Sequence, residues 1–230
     1  IFKGPRAVAA LEAASDKLAA QGDGAQPDAA TAQEAEEAAA RLRSERARAL
    51  AAFREWAGRD DWVLMACNAS GRGADAEFIE IAVVSAAGEV LFQQPVLPKG
   101  PISAAATAAH GLTAESLRGA AIWPRLHRVV IALLTAAPYV LSYNALFHLR
   151  ILEQTAARYD LKLPPLEFDC VMQAYAAYRA EADESGQARL HSLDDAADHE
   201  GIAVEREEAN GALAAALLTW RLIGRIGKGA

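Results

Sequence analysis

Apolar residues are spaced in two different ways along this chain, and the change comes near residue 61. Before it, "AVAALEAASDKLAA" has helical spacing and "QGDGAQPD" interrupts it. "TAQEAEEAAARLRSERARALAAFREWAGRD" then predicts one long helix, with Thr31 and Glu34 as a capping box, Glu37 and Arg41 at the favourable i,i+4 spacing, and Gly58 as its stop. The apolar face of that helix is mostly alanine, and Leu42, Leu50 and Phe53 sustain no heptads. It therefore predicts a helical arm packed on a domain, ahead of a dimerising coiled coil.

After residue 61 the pattern turns to strands. "WVLMAC" and "EFIEIAVV" are apolar runs of buried-strand length, and "EVLFQQPV" follows the turn "SAAGE", which predicts an antiparallel meander. "AIWPRLHRVVIALLTA" predicts an amphipathic helix, "YVLSYN" a short strand, and "ALFHLRILEQTAARYD" a helix with Leu146, Leu149, Ile151 and Leu152 as its apolar stripe. "LEFDC" is a further strand candidate. "VMQAYAAYRAEA", "SLDDAADHE" and "ANGALAAALLTWRLIG" predict three more helices. Strands first and βα alternation afterwards predict an α/β domain over 61–230, with a mixed sheet and helices on both faces, preceded by a helical arm over 1–60.

Composition narrows the chemistry. A chain of 230 residues, 53% hydrophobic, is long enough for one substantial core. Every alanine-rich stretch is broken by charge or glycine, so no membrane span is expected. The chain opens on Ile1 rather than Met and is read as a piece of a longer polypeptide, from which a targeting segment could have been lost. Cys67 and Cys170 fit neither a disulfide framework nor a zinc spacing, and are expected to be reduced core residues of a cytoplasmic protein. A net charge of -7 argues against a general polyanion binder, though a local basic groove remains compatible with it.

Three short segments, in this order and spacing, carry a resemblance: "IEIAVV" with "GEVLF", "HGLT" at 110–113, and "YNALFHLRIL" at 143–152. Together they resemble the DEDDh-type 3'-5' exonucleases, the group of polymerase proofreading subunits and ribonuclease T, over roughly residues 61–225. The resemblance implies a ribonuclease-H-like exonuclease fold. It also implies phosphodiester hydrolysis by two Mg²⁺ or Mn²⁺ ions about 4 Å apart, held by converging carboxylates.

Carried over position by position, the resemblance meets departures at every chemical residue. The first-strand Asp and Glu of the family fall on Ala66 and Asn68. The Asp after the N-x-x-F segment falls on His148, although Asn144 and Phe147 are kept. The last Asp falls on Gly211 and the general base on Arg206. No metal is therefore expected, with Mg²⁺ or Mn²⁺ entering only if other carboxylates have taken over. Candidates for that are Glu205, Glu207 and Glu208, and "HSLDDAADHEG", where His191, Asp194 and Asp195 imitate the last motif. Ser192 as an N-cap with both aspartates in the first helical turn explains the latter without chemistry. Asp75 and Glu77 read as solvated loop charges and Glu80 as an ordinary family position.

The replacements suggest what an emptied cleft could do. His148 and Arg206, if they converge, make a metal-free phosphate pocket, since a guanidinium holds phosphate bidentately. Asn68, His110, Asn144 and Phe147 complete the expected nucleic-acid-binding set, with Phe147 as a stacking surface. The structural alternatives are a solvent-facing Arg206, a hydrogen-bonded core His148 and a packed Phe147. Trp123, Tyr143, Tyr175, Tyr178 and Trp220 are expected to be mostly core. Walker, nucleophile-elbow and zinc patterns are absent, and Cys67 on a buried strand reads as inert.

Three functional readings stand on the sequence. The favoured one is an inactive exonuclease-fold module that binds a single-stranded nucleic acid or 3' end, or a partner protein through the arm. The second is an active exonuclease with displaced carboxylates. The third is a structural domain of a larger polypeptide.

Overall fold

The computed structural model describes residues 29–183, 187–203 and 211–229. The predicted helix over 7–20, along with Arg206, Glu205, Glu207 and Glu208, lies outside the described residues. The elements in chain order are α1 (Ala29–Gly58), β1 (Trp62–Ala69), β2 (Phe78–Ser85), β3 (Val90–Pro95), α2 (Ala104–His110), α3 (Trp123–Ala136), β4 (Tyr139–Ser142), α4 (Ala145–Ala157), β5 (Phe168–Cys170), α5 (Val171–Arg179), α6 (Leu193–His199) and α7 (Ala212–Lys228).

The five strands form one mixed sheet in the order β3-β2-β1-β4-β5. β1, β2 and β3 pair antiparallel, while β4 joins β1, and β5 joins β4, in parallel. β1 is the central strand, and its residues are apolar on both faces because both faces are covered. Trp62, Leu64 and Ala66 point into a core with Phe53 and Trp56 of α1, Tyr175 of α5, Ala196 of α6, and Leu222 and Ile226 of α7. Val63, Met65 and Cys67 point into a second core with Trp123, Val130 and Leu134 of α3 and Ile151 and Leu152 of α4.

α1 is held by the domain rather than standing free. Its stripe of Ala38, Ala49, Phe53 and Trp56 is buried. The Trp62 indole N–H donates to the Trp56 carbonyl at 2.8 Å, fixing the corner between α1 and β1. Gly227 makes the close crossing with α7 feasible: a Cβ there would lie 2.3 Å from the Phe53 carbonyl oxygen. Thr31 lies inside α1, two residues past its first described residue, so it is not the N-cap expected of it.

Other expectations are corrected. α2 is an element that the apolar pattern does not predict; Ser103 caps it, accepting from the Ala106 N–H at 3.1 Å. Leu146 leaves the apolar stripe of α4 and is 76% exposed, because the face that meets the sheet is the one carrying His148, Ile151 and Leu152. Glu77 is no solvated charge: it is 1% exposed, it meets Arg158 Nε at 2.9 Å and it accepts from the Gly100 N–H at 2.8 Å. A buried carboxylate needs such partners to offset its lost hydration.

Candidate functional site

The carboxyl end of β1 opens into a cleft of about 560 Å³ lined by Cys67, Asn68, Arg72, Ser103, His110 and Phe147, with Ala105, Ala106 and Ala109 of α2 along one wall. Open α/β sheets offer ligand crevices at the carboxyl ends of their strands. The wall is fastened to the strand through backbone contacts: the Ser103 N–H donates to the Ser70 carbonyl at 2.8 Å, and the Ser70 N–H to the Glu77 carbonyl at 2.9 Å. The Glu77 N–H donates to Ser70 Oγ at 2.9 Å. Buried Glu77 with Arg158 therefore steadies the loop that presents Arg72.

Of the expected nucleic-acid-binding residues, the structure brings Asn68, His110 and Phe147 together in this cleft. Phe147 is half-buried, with one side on the cleft and the Arg150 guanidinium 5.6 Å from its ring centre. Arg150 Nη2 also donates to the Arg72 carbonyl at 3.5 Å, tying α4 to the loop that carries Arg72. The Leu112 N–H donates to His110 Nδ1 at 3.0 Å, which places the proton of a neutral ring on Nε2. That Nε2 has no protein partner among the described residues. Among the described residues, no carboxylate lines the cleft.

Asn144 and His148 are not among the residues that line it. Asn144 forms the turn from β4 into α4 with φ 144°, a conformation rare outside glycine. His148 is buried, and its Nδ1 contacts Ser142 Oγ, whose hydroxyl donates to the Met65 carbonyl at 2.7 Å. Burial pushes the His148 pKa down to about 4, so the ring is neutral at pH 7. As a neutral ring it cannot hold a phosphate as a cation; Arg206, expected to converge with it, lies outside the described residues.

Asn68 and the start of α7 are joined by a residue whose role the sequence did not announce, Glu80. Asn68 and Glu80 are register partners on β1 and β2. Asn68 Nδ2 donates to Glu80 Oε2 at 2.9 Å, and the same oxygen accepts the Ala212 N–H at 2.8 Å. Gly211, the N-cap of α7, would bring a Cβ within 3.5 Å of Glu80 Oε1. One carboxylate is thus held by an amide of β1 and by the N-terminus of α7. Ala66 beside it is buried and apolar. Among the described residues no three His, Cys, Asp or Glu side chains are grouped to hold a metal ion.

Elsewhere, Ser192 accepts from the Asp195 N–H at 3.0 Å and caps α6, with Asp194 and Asp195 in its first turn. Cys67 is buried and its thiol pKa is raised by desolvation and by Glu80. It is not poised as a nucleophile.

No family model matches the sequence. The chain is 36% identical over 176 residues to an uncharacterized exonuclease, CP81, of Escherichia phage 186, across 74% of this chain and 90% of that one. The chain belongs to the DEDDh-type 3'-5' exonuclease family. Its fold is that of solved members at lower identity. The nuclease domain of 3'hExo, a DEDDh family member bound to rAMP, matches with TM-score 0.54 and 18% identity over 74% of this chain and 90% of that domain. A 3'-exonuclease solved in recognition of the histone mRNA stem-loop matches with TM-score 0.59 and 18% identity over 74% of this chain, which spans 65% of that longer protein. Exonuclease X in complex with 5' overhanging duplex DNA matches with TM-score 0.52 and 17% identity, over 73% and 92% of the two chains. This exonuclease-family chain therefore has the ribonuclease-H-like sheet expected of it. No helix among its described residues is long and apolar enough to cross a membrane.

Proposed function

We propose that this protein is a catalytically inactive exonuclease-fold module whose cleft holds a nucleic-acid end without metal. The carrying observation is Glu80: among the described residues it is the carboxylate that meets both Asn68 and the start of α7, and it already accepts two N–H donors. Mg²⁺ asks for near-octahedral oxygen ligands, and a two-ion site for several carboxylates. Ala66, Asn68, neutral His148 and Gly211 do not fit that demand. A cleft bounded by Arg72, His110 and Phe147 suits a different task, contact with phosphate and base through guanidinium and ring. Relatives solved with stem-loop RNA and with DNA support a nucleic-acid ligand. Cys67 and Cys170 are both unpaired, which supports a reducing, cytoplasmic setting.

The reading that keeps an enzyme uses displaced carboxylates, with Glu80 itself as the first. It predicts a 3'-end ladder when a 5'-labelled single-stranded oligonucleotide is incubated with Mn²⁺ and resolved on a denaturing gel. Intact oligonucleotide with the parent protein supports loss of catalysis, and cleavage overturns it. Retention for a partner protein, docked on α1, predicts no oligonucleotide binding at any salt concentration.

A further inference from the structure

Between residues 41 and 54, α1 carries Arg41, Arg43, Arg46, Arg48 and Arg54 against Glu45 alone, in a chain whose net charge is -7. All five arginines are exposed. At about 100° per residue, the buried stripe of Ala38, Ala49, Phe53 and Trp56 sets the inner side of the helix, and the arginines fall on its two flanks. Arg41 and Arg48, two turns apart, form one row. Arg43, Arg46 and Arg54 form the other. The crest between the rows is low, with exposed Ala40, Ser44, Ala47 and Ala51.

The counter-charges leave these rows available. Arg43 pairs with Glu36 at 2.6 Å, but both side chains are mostly exposed, and such a pair yields readily to a phosphate. Arg46 lies over the Tyr178 ring at 5.5 Å, a contact that steadies it without neutralising it. Glu55 is engaged by Arg59 at 3.7 Å. Among the described residues no carboxylate lies within ion-pair distance of Arg41, Arg48 or Arg54.

We infer that the solvent face of α1 docks into the major groove of duplex DNA, each arginine row meeting the phosphates of one groove wall. The dimensions agree: a helix with its side chains is about 10–12 Å across and the groove about 12 Å wide. Two flanking cationic rows on a low crest match two phosphate walls. A single strand offers one wall, and the deep, narrow major groove of A-form RNA does not admit a helix. The duplex site is separate from the cleft and stands or falls independently of it.

The test is fluorescence anisotropy of the full chain with a blunt-ended DNA duplex, a duplex RNA of the same length and a short single strand, across a salt series. Duplex DNA binding is expected to weaken steeply with salt. The triple variant Arg41→Gln, Arg48→Gln, Arg54→Gln should flatten the slope by about 0.9 per arginine, while Lys at the same three positions preserves it. Phe147→Ala should weaken any binding of the short single strand while leaving the salt slope of duplex binding as in the parent, so failure of the cleft reading and failure of this one are told apart. The inference is overturned if the triple Gln variant binds the duplex as the parent does, or if duplex RNA binds as well as duplex DNA.

Discussion

Asn68 and Glu80 face one another across β1 and β2, the amide donating to the carboxylate at 2.9 Å. On the proposed reading, this neutral-to-acid pair stands where carboxylates would otherwise be crowded around metal. Restoring acid at 68 should therefore be costly. Asn68→Glu sets two carboxylates face to face and removes a donor, and should lower stability by about 1–3 kcal/mol in the absence of divalent ions. Combined with Ala66→Asp, it should gain thermal stability on addition of Mn²⁺, whereas the parent should not. Melting curves with and without Mn²⁺ decide it, and an equal response of both proteins would count against the inactive reading.

Glu80 also caps α7 through the Ala212 N–H at 2.8 Å. Glu80→Ala leaves that N–H and the Asn68 amide without the acceptor and removes a negative charge from a helix N-terminus. The expected loss is about 1–3 kcal/mol in urea unfolding, with Glu80→Gln costing less because its amide oxygen can still accept. Hydrogen exchange at Ala212 should accelerate in the Ala variant more than in the Gln variant.

His148 makes the fold sensitive to acid. Its pKa is about 4 in the folded protein, against an ordinary value near 6.5 when unfolded. The unfolded chain therefore binds the extra proton first, and stability falls as pH drops from about 6.5 towards 4, by about 2 kcal/mol at pH 5. Urea midpoints at pH 7 and pH 5 should differ accordingly, and His148→Asn should reduce the difference. A variant with the parent's full pH dependence would refute the assignment to His148.

Where the chain's pattern is strong, the structure follows it. The apolar runs "WVLMAC" and "EFIEIAVV" form the two central antiparallel strands because their alternate residues each meet a covered face. Motif spacing is enough to bring Asn68, His110 and Phe147 to one cleft. What stays hidden depends on partners remote in sequence. Nothing near Glu77 announces Arg158, and nothing near Glu80 announces the Ala212 N–H. α2 escapes because "AAATAAH" has no apolar period to read. Arg72 escapes because its loop matches no Walker-type phosphate pattern, and it is the hydrogen bonds of Ser70 with Glu77 and Ser103 that set its loop beside the cleft.

The cleft residues separate by the kind of contact each would make. Phe147→Ala should weaken single-strand binding by about 1–3 kcal/mol, the range of a lost base stack, with little change in salt dependence. Arg72→Gln should do the converse, lowering the salt slope by about 0.7, as expected for one phosphate contact on a single strand. Anisotropy titrations over a salt series measure both. If neither variant differs from the parent, the cleft is not where the strand sits.

Two glycines of α7 offer a matched test of how α1 is held. Gly224 has open space where a methyl group would sit, so Gly224→Ala should stabilise by up to about 1 kcal/mol through helix propensity. At Gly227 the same methyl group would lie 2.3 Å from the Phe53 carbonyl oxygen and 2.5 Å from the Ala57 Cβ. Because the first obstacle is backbone, α1 must move as a body, and Gly227→Ala should destabilise by about 1–3 kcal/mol. Trp56, packed in the same core and accepting the Trp62 N–H, offers a fluorescence report of that shift. Equal effects of the two substitutions would mean that α1 does not cross α7 closely at Gly227, and that the arm is less firmly seated than its buried stripe implies.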